Sequence, residues 1–188
     1  PLGGGKAVVF GDPGKDKSEA LFRSLGRYVQ GLGGRYIATE DVGITVRDVE
    51  WISTETEYAV GLPVSQGGSG DPSPATAFTV LQAMKVCVQE KLDSDTLKGR
   101  TVALQGLGKV GYNLAHLLHE EGARVVATDT NPELVKRAKK EMDITATEPD
   151  EIYDVVGDVF SPCAFGGILN SKSIPRLKCP VVCGAANN

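Results

Sequence analysis

The stretch that most constrains this chain runs from Thr101 to Gly111, an apolar run that breaks directly into three spaced glycines. Val102-Ala-Leu104 reads as a short buried strand. It stops at Gly106, and Gly106, Gly108 and Gly111 have the spacing G-x-G-x-x-G. A helical pattern follows, with Val110, Leu114, Leu117 and Leu118 on one face, and Gly122 ends it. Arg124 to Asp129 then reads as a second strand that finishes on an acid. Glycines alone often mark ordinary turns. Strand, glycine turn, helix, strand and acid in that order form the dinucleotide fingerprint.

Each part has a physical task. Gly106 permits a tight turn out of the strand, Gly108 removes a side chain where a pyrophosphate approaches backbone, and Gly111 lets helix and sheet pack closely. The amides around Leu107, Lys109 and Val110, with the positive end of the helix dipole, suit a phosphate anion. Asp129 lies 18 positions after Gly111. Its carboxylate can accept hydrogen bonds from a ribose diol and would repel a 2′-phosphate, and Thr130 and Asn131 follow it where an Arg would be needed. The expected cofactor is therefore NAD in preference to NADP.

The 188-residue chain allows one or two domains with a sizeable core. A net charge of -4 offers no general attraction to nucleic acid or an anionic membrane. No apolar run approaches transmembrane length and no signal peptide is visible. Cys87, Cys163, Cys179 and Cys183 lack a paired metal-binding pattern, so reduced thiols in a cytoplasm and no metal are expected. The chain begins at Pro1 and stops just after an apolar run, which looks like a segment of a longer protein.

Along the chain, Gly3 to Phe10 reads as a glycine loop entering a short strand, and Gly11 to Gly14 as a turn. A helix is expected from about Asp16, with Asp16 and Glu19 at capping-box spacing and Leu21, Phe22, Leu25, Tyr28, Val29 and Leu32 at helical period. Arg35 to Asp41 reads as a strand, Thr45 and Asp48 as the cap of a helix to about Thr56, and Tyr58 to Leu62 as a third strand. Trp51 reads as packing. Ser65 to Pro74 is dense in glycine and proline and makes the best hinge. Ser73 and Pro74 start a long helix to about Leu92. Asn131-Pro132 opens a helix through about Met142, whose Lys136, Lys139 and Lys140 read as a solvated face. Asp158 to Cys163 and Pro180 to Gly184 read as strands running into loops. Strands alternating with helices predict an α/β fold with a parallel sheet. The expected domains are residues 1–70, part of an α/β catalytic domain, and residues 71–188, a Rossmann-like NAD domain, with a cleft between them.

A nucleotide fold alone names no reaction. Lys6 follows three glycines, so crowding backbone and burial could lower its pKa and make it a base or nucleophile. Asp41 ends a strand, where sheet sites form. A base and a carboxylate facing a nicotinamide would suit oxidation at a carbon bearing nitrogen or oxygen.

Eight motifs occur in order: Gly3 to Val8, Gly11 to Pro13, Gly34 to Tyr36, Glu40 to Gly43, Pro72 to Thr76, Gln105 to Gly111, Ser161 to Gly167 and Gly184 to Asn188. Together they resemble the leucine/phenylalanine/valine branch of the amino-acid dehydrogenase family over essentially the whole chain. Ala7-Val8 stands where the glutamate branch usually has glycines. The resemblance implies oxidative deamination of an apolar L-amino acid, leucine or another branched-chain one, to the 2-oxo acid and ammonia. It implies Lys6 as the catalytic lysine and Asp41 as the acid that shuttles protons to the substrate nitrogen. It places Thr76 on the nicotinamide amide, Pro162, Cys163 and Ala164 beside ribose, and Asn187 near nicotinamide and substrate. It also implies a homo-oligomer. The family's second lysine, which grips the substrate carboxylate, would precede Pro1, and the pocket residues after the paired asparagines have no counterpart here. Thr39 stands where leucine-selective members commonly have alanine. His116 and His119 read as surface or core residues. Rival readings are phenylalanine, valine or glutamate as substrate, or an NAD-binding module without turnover.

Overall fold

The computed structural model describes residues 4–187. Gly3 of the glycine run and Asn188 of the closing asparagine pair lie outside the described residues. The chain divides into two compact units, Pro1–Pro72 and Ser73–Asn188. Among the described residues no helix is long and apolar enough to cross a membrane.

The first unit is built on two helices, α1 (Glu19–Gly31) and α2 (Val46–Ser53). The N-cap of α1 falls two residues later than its acidic spacing predicts. Ser18 is the N-cap and accepts from the Leu21 amide at 3.3 Å. Asp16 instead closes the preceding turn, accepting from the Asp12 amide at 2.6 Å. Thr45 and Asp48 form the capping box of α2 as their spacing predicts, and the helix ends at Ser53, short of Thr56. Asp48 is buried, and Lys17 pairs with it. Phe22 and Val29 of α1 pack with Val49 and Ile52 of α2, and Trp51 stacks on Phe22 with ring centroids 6.1 Å apart. Gly26 lets the helices approach, because a Cβ there would lie 2.5 Å from the Ile52 carbonyl oxygen.

The three strands expected in this unit do not form. Ala38 and Ala59 make one isolated parallel bridge, with the Ala38 amide donating to Tyr58 O and the Val60 amide to Ala38 O, both at 2.9 Å. Residues 4–10 carry no regular structure and are exposed, Phe10 fully at 99%. An apolar run becomes a strand only where a neighbour satisfies its amides and carbonyls, and among the described residues of this unit only the Ala38–Ala59 bridge does so.

The second unit opens on α3 (Ser73–Leu92), which takes Ser73, the expected N-cap, as its first residue and ends at Leu92 as expected. Then follow β1 (Thr101–Gln105), α4 (Lys109–Glu120), β2 (Arg124–Thr128), α5 (Pro132–Glu141), β3 (Thr145–Ala146), β4 (Val159–Pro162) and β5 (Val181–Val182). The sheet is wholly parallel, in the order β3-β2-β1-β4-β5. Alternation along β1 divides its side chains between two layers. Val102 and Leu104 join Met84 of α3 and Leu114 and Leu118 of α4, while Ala103 joins Ile152 and Phe160. A strand covered on both faces reads as a continuous apolar run, which is why Val102-Ala-Leu104 shows no polar alternation.

Candidate active site

Strand order reverses beside β1, with β2 on one side and β4 on the other. Ligand crevices form beyond strand carboxyl ends at such a switch point. Here β1 ends in the glycine turn and β4 ends in Pro162, so Gly106 meets Cys163 and Ala164. Gly106 has φ +96°, and a Cβ there would come within 2.9 Å of the Cys163 carbonyl and the Ala164 nitrogen. At Gly111 a Cβ would strike the Gly106 carbonyl oxygen, so the start of α4 packs against the turn only as glycine. At Gly108 a Cβ would meet nothing within 4 Å. The first two glycine requirements are met by protein atoms. The space beside Gly108 is open, and Gly108 caps α4 without a side-chain hydrogen bond. This is room for an anion at a helix N-terminus, with Lys109 and Val110 in the first turn.

Leu107 behaves differently from its glycine neighbours. Its side chain is buried in the core at 1% exposure, and its amide donates to Asp129 Oδ2 at 2.7 Å. Asp129 Oδ1 accepts from the Asn131 amide at 2.8 Å. Two backbone donors thus orient the carboxylate, and each oxygen keeps acceptor capacity for a ligand hydroxyl.

Chain segments after β4 and β5 run together. The Ala185 and Ala186 amides donate to Pro162 O at 2.8 and 2.9 Å. Asn187 packs on Gly166, where a Cβ would lie 3.3 Å from the Asn187 Cβ. The structure therefore gathers Gly106 to Gly111, Cys163, Ala164 and Asn187 around the carboxyl ends of β1, β4 and β5. Burial raises the Cys163 pKa above its ordinary value, which keeps the group a thiol at neutral pH. Thr76 stands in the first turns of α3, one turn before Val80, whose carbonyl lies 3.8 Å from Cys183 Sγ.

In the first unit, Lys6 and Asp41 are 35 positions apart and form an ion pair. The Lys6 side chain is 68% exposed; a Cβ at Gly4 would meet nothing within 4 Å, whereas one at Gly5 would lie 3.2 Å from the Tyr36 ring. The burial of the Lys6 amine expected from the glycine run is not found. The Asp41 hydrogen bond and charge raise the Lys6 pKa, the opposite of the shift that a resting base needs. Lys6, and then the Val42 amide at 2.7 Å, hold Asp41 below the usual carboxylate range. As it stands the pair is an ammonium and a carboxylate. Thr39, just before it, faces Gly61, where a Cβ would lie 3.3 Å from Thr39 Oγ1.

Lys136, Lys139 and Lys140 of α5 are exposed, as their reading as a solvated face expects; what the sequence did not show is the wall they meet. Lys136, Lys139 and Lys140 share one cavity of about 780 Å³ with Asp129, Thr130 and Thr147. The signal was present as lysines at i and i+4 on the helix that follows the acid. The missing piece was β3, whose two residues are too few to show a period.

The parallel sheet, the glycine turn and its acid define a protein with a Rossmann-like α/β unit. The chain belongs to the Glu/Leu/Phe/Val dehydrogenase family. The family model described as the Glu/Leu/Phe/Val dehydrogenase dimerisation domain matches residues 1–58, and that described as glutamate/leucine/phenylalanine/valine dehydrogenase matches residues 67–137. Leucine dehydrogenase of Geobacillus stearothermophilus is 52% identical over 187 residues, covering 100% of this chain and 51% of the relative. Phenylalanine dehydrogenase of Caldalkalibacillus thermarum is 47% identical over 192 residues, covering 100% of this chain and 52% of that protein. The crystal structure of L-tryptophan dehydrogenase from Nostoc punctiforme matches with a TM-score of 0.69 at 41% identity, over 95% of this chain and 50% of that one. The chain spans about half the length of the curated relatives it matches.

Proposed function

We propose that this chain belongs to an NAD-dependent dehydrogenase that oxidatively deaminates an apolar L-amino acid to its 2-oxo acid and ammonia. The observation that carries the reading is the Lys6–Asp41 pair, which joins two separate family motifs into one charged couple. NAD, when bound, accepts the hydride that leaves the substrate α-carbon. The open side of Gly108 and the amides of Lys109 and Val110 take the pyrophosphate, and Asp129 accepts from the adenosine ribose. Thr76, Cys163, Ala164 and Asn187 take the nicotinamide half.

The pKa directions assign the charges. Lys6 rests as a cation, and an ammonium there stabilises negative charge on the oxygen of the substrate-derived carbinolamine once water has added to the iminium carbon. Asp41 rests as a carboxylate and receives a proton from the substrate ammonium. When that proton neutralises Asp41, the hold on the Lys6 proton loosens; Lys6 releases it to solvent and, as the neutral amine, takes a proton from the water that adds to the iminium carbon, which returns it to the ammonium facing the carbinolamine oxygen. The direct test is NADH formation by the full-length protein across a panel of amino acids, beside Lys6→Ala. A loss of about 10²-fold or more in kcat is expected. Turnover at the unmutated rate would remove the mechanism.

Aromatic substrates form a second reading. Phenylalanine and tryptophan dehydrogenases share almost as much identity as the leucine enzymes, and Thr39 replaces the alanine expected for leucine selectivity. The same panel separates the two by the ratio of kcat/KM for leucine and phenylalanine. We also propose self-association through the first unit, in line with the dimerisation description of its family model. Sedimentation of the full-length protein tests this.

A further inference from the structure

The four cysteines divide between the two faces of the parallel sheet. Cys179 packs with Ile152 and Phe160, and its Sγ donates to Val155 O at 3.6 Å. Cys87, Cys163 and Cys183 pack instead on the face that carries Met84 of α3 and Leu114 of α4. All four are free thiols. Neither Cys87 nor Cys183 has a part in the reaction proposed above.

Cys87 lies on α3, seven residues after Val80. Seven residues make two turns, so the two positions share a helix face. Helix carbonyls point toward the C-terminus, whereas side chains lean toward the N-terminus. The Val80 carbonyl and the Cys87 side chain therefore converge on the stretch between them. Cys183, which directly follows β5, reaches that stretch, with its Sγ 3.8 Å from Val80 O. The Cys87 thiol is within hydrogen-bonding reach of it. Burial first, and then the Cys87 thiol, push the Cys183 pKa up to about 11, so Cys183 keeps its proton at neutral pH. Cys163 is turned to the glycine loop instead, where a Cβ at Gly111 would lie 3.4 Å from its Cβ. β5 has two residues and, among the described residues, pairs only with β4.

We propose that Cys87 and Cys183 are a reversible disulfide site, closed by a two-electron thiol oxidant, that staples β5 to α3. With the diazene diamide as oxidant the step balances as follows. The Cys87 thiolate adds to one nitrogen of the N=N bond, and the other nitrogen takes a proton. Cys183 Sγ then attacks Cys87 Sγ, the S–N bond breaks, and the proton from Cys183 goes to the departing nitrogen. Two thiols lose two electrons and two protons, and the diazene becomes a hydrazine. Cys183 acts second because it is the protonated partner, already in contact with the sulfur it must attack. The bridge would close a loop over most of the second unit, which restricts the unfolded chain strongly. It also ties the helix that carries Thr76 to the segment that leads into Asn187. The site stands whatever the substrate of the enzyme.

The test is disulfide mapping of the native full-length protein after treatment with diamide, beside a reduced sample. Tryptic digestion without reductant should give the peptide of residues 86–91 bonded to the peptide that begins at Cys179, with the bridge at Cys183. Cys87→Ser and Cys183→Ser should each abolish that species, and Cys179→Ser should keep it. The thermal unfolding midpoint should rise by about 3 °C or more on oxidation and return with dithiothreitol. In either Ser variant of the pair, oxidation should leave the midpoint unmoved. A bridge from Cys87 to Cys163 or Cys179 overturns the proposal, as does no bridge at Cys87 under diamide that fully oxidises added glutathione. A Cys87–Cys183 bridge with an unchanged midpoint overturns the staple. The mapping needs only the native protein, so it decides the pairing even where a variant fails to fold.

Discussion

The two units use similar residues and obtain different amounts of structure from them. In residues 73–188 every apolar run of the sheet has a parallel neighbour, and β1, at its centre, is flanked on both sides. Its Val102, Ala103 and Leu104 have no exposure. In the first unit the comparable runs around Val8 and Ile37 remain open, with Val8 74% and Ile37 37% exposed. What holds that unit is one helix pair, a capping box, and ion pairs such as Arg23 with Glu55 at 2.8 Å. Hydrophobic pattern is thus necessary for a strand but not sufficient. The backbone must also find a partner, and among the described residues only those of the second unit supply one along whole strands.

The largest test of this contrast is truncation of one large core ring in each unit. Phe160→Ala should cost about 3–5 kcal/mol of amide protection in β1 and β4. Those strands should nevertheless stay measurably protected from hydrogen exchange. Phe22→Ala removes a similar amount from a much thinner core, so protection of α1 and α2 should vanish. Persistent protection of α1 in that variant would break the comparison.

A middle-sized effect sharpens the picture within the glycine turn. Gly111→Ala pushes a methyl into the Gly106 carbonyl and should cost about 1–3 kcal/mol in urea unfolding. Gly108→Ala meets open space and should change stability by less than about 0.5 kcal/mol. Binding should reverse the ranking of harm. NAD affinity of the stable Gly108→Ala variant should fall at least about tenfold, whereas equal NAD affinity to the native protein would place the pyrophosphate elsewhere.

The smallest effect is the pH dependence of the exposed couple in the first unit. Asp41 has a folded pKa below its unfolded one, so the unfolded state takes up its proton first as pH falls. Its contribution is complete above the ordinary carboxylate value, about 3.9, and disappears as pH drops through the lower folded value. Lys6 gives the mirror case. Its raised pKa contributes below the ordinary lysine value and is lost as pH climbs through the folded one. In Lys6→Met the Asp41 carboxyl, followed by carbon-13 NMR, should titrate at higher pH. An unchanged midpoint would show that the pair does not persist in solution.

Much of the second unit was legible in the sequence because its signals are local. The Ser73-Pro74 start of α3, the Asn131 cap of α5 and the glycine spacing each act within a few residues. Thr45 and Asp48 are equally local and equally legible. The start of α1 was misread because both Asp16 and Ser18 can cap, and the turn at Asp12 takes Asp16 for itself. The state of Lys6 was misread because glycines before a lysine say nothing of what surrounds its amine. A carboxylate 35 positions away decides that.

Chain order by itself determined the turn, its acid, the starts of α2 and α5 set by unambiguous caps, and the family. Tertiary structure alone decided which apolar runs became strands, which charges met, and which lysines entered the cavity beside Asp129. The division has one physical source. Caps and turns are closed by backbone groups a few residues apart, whereas strand pairing, ion pairs and cavity walls need partners that only the folded chain brings within reach.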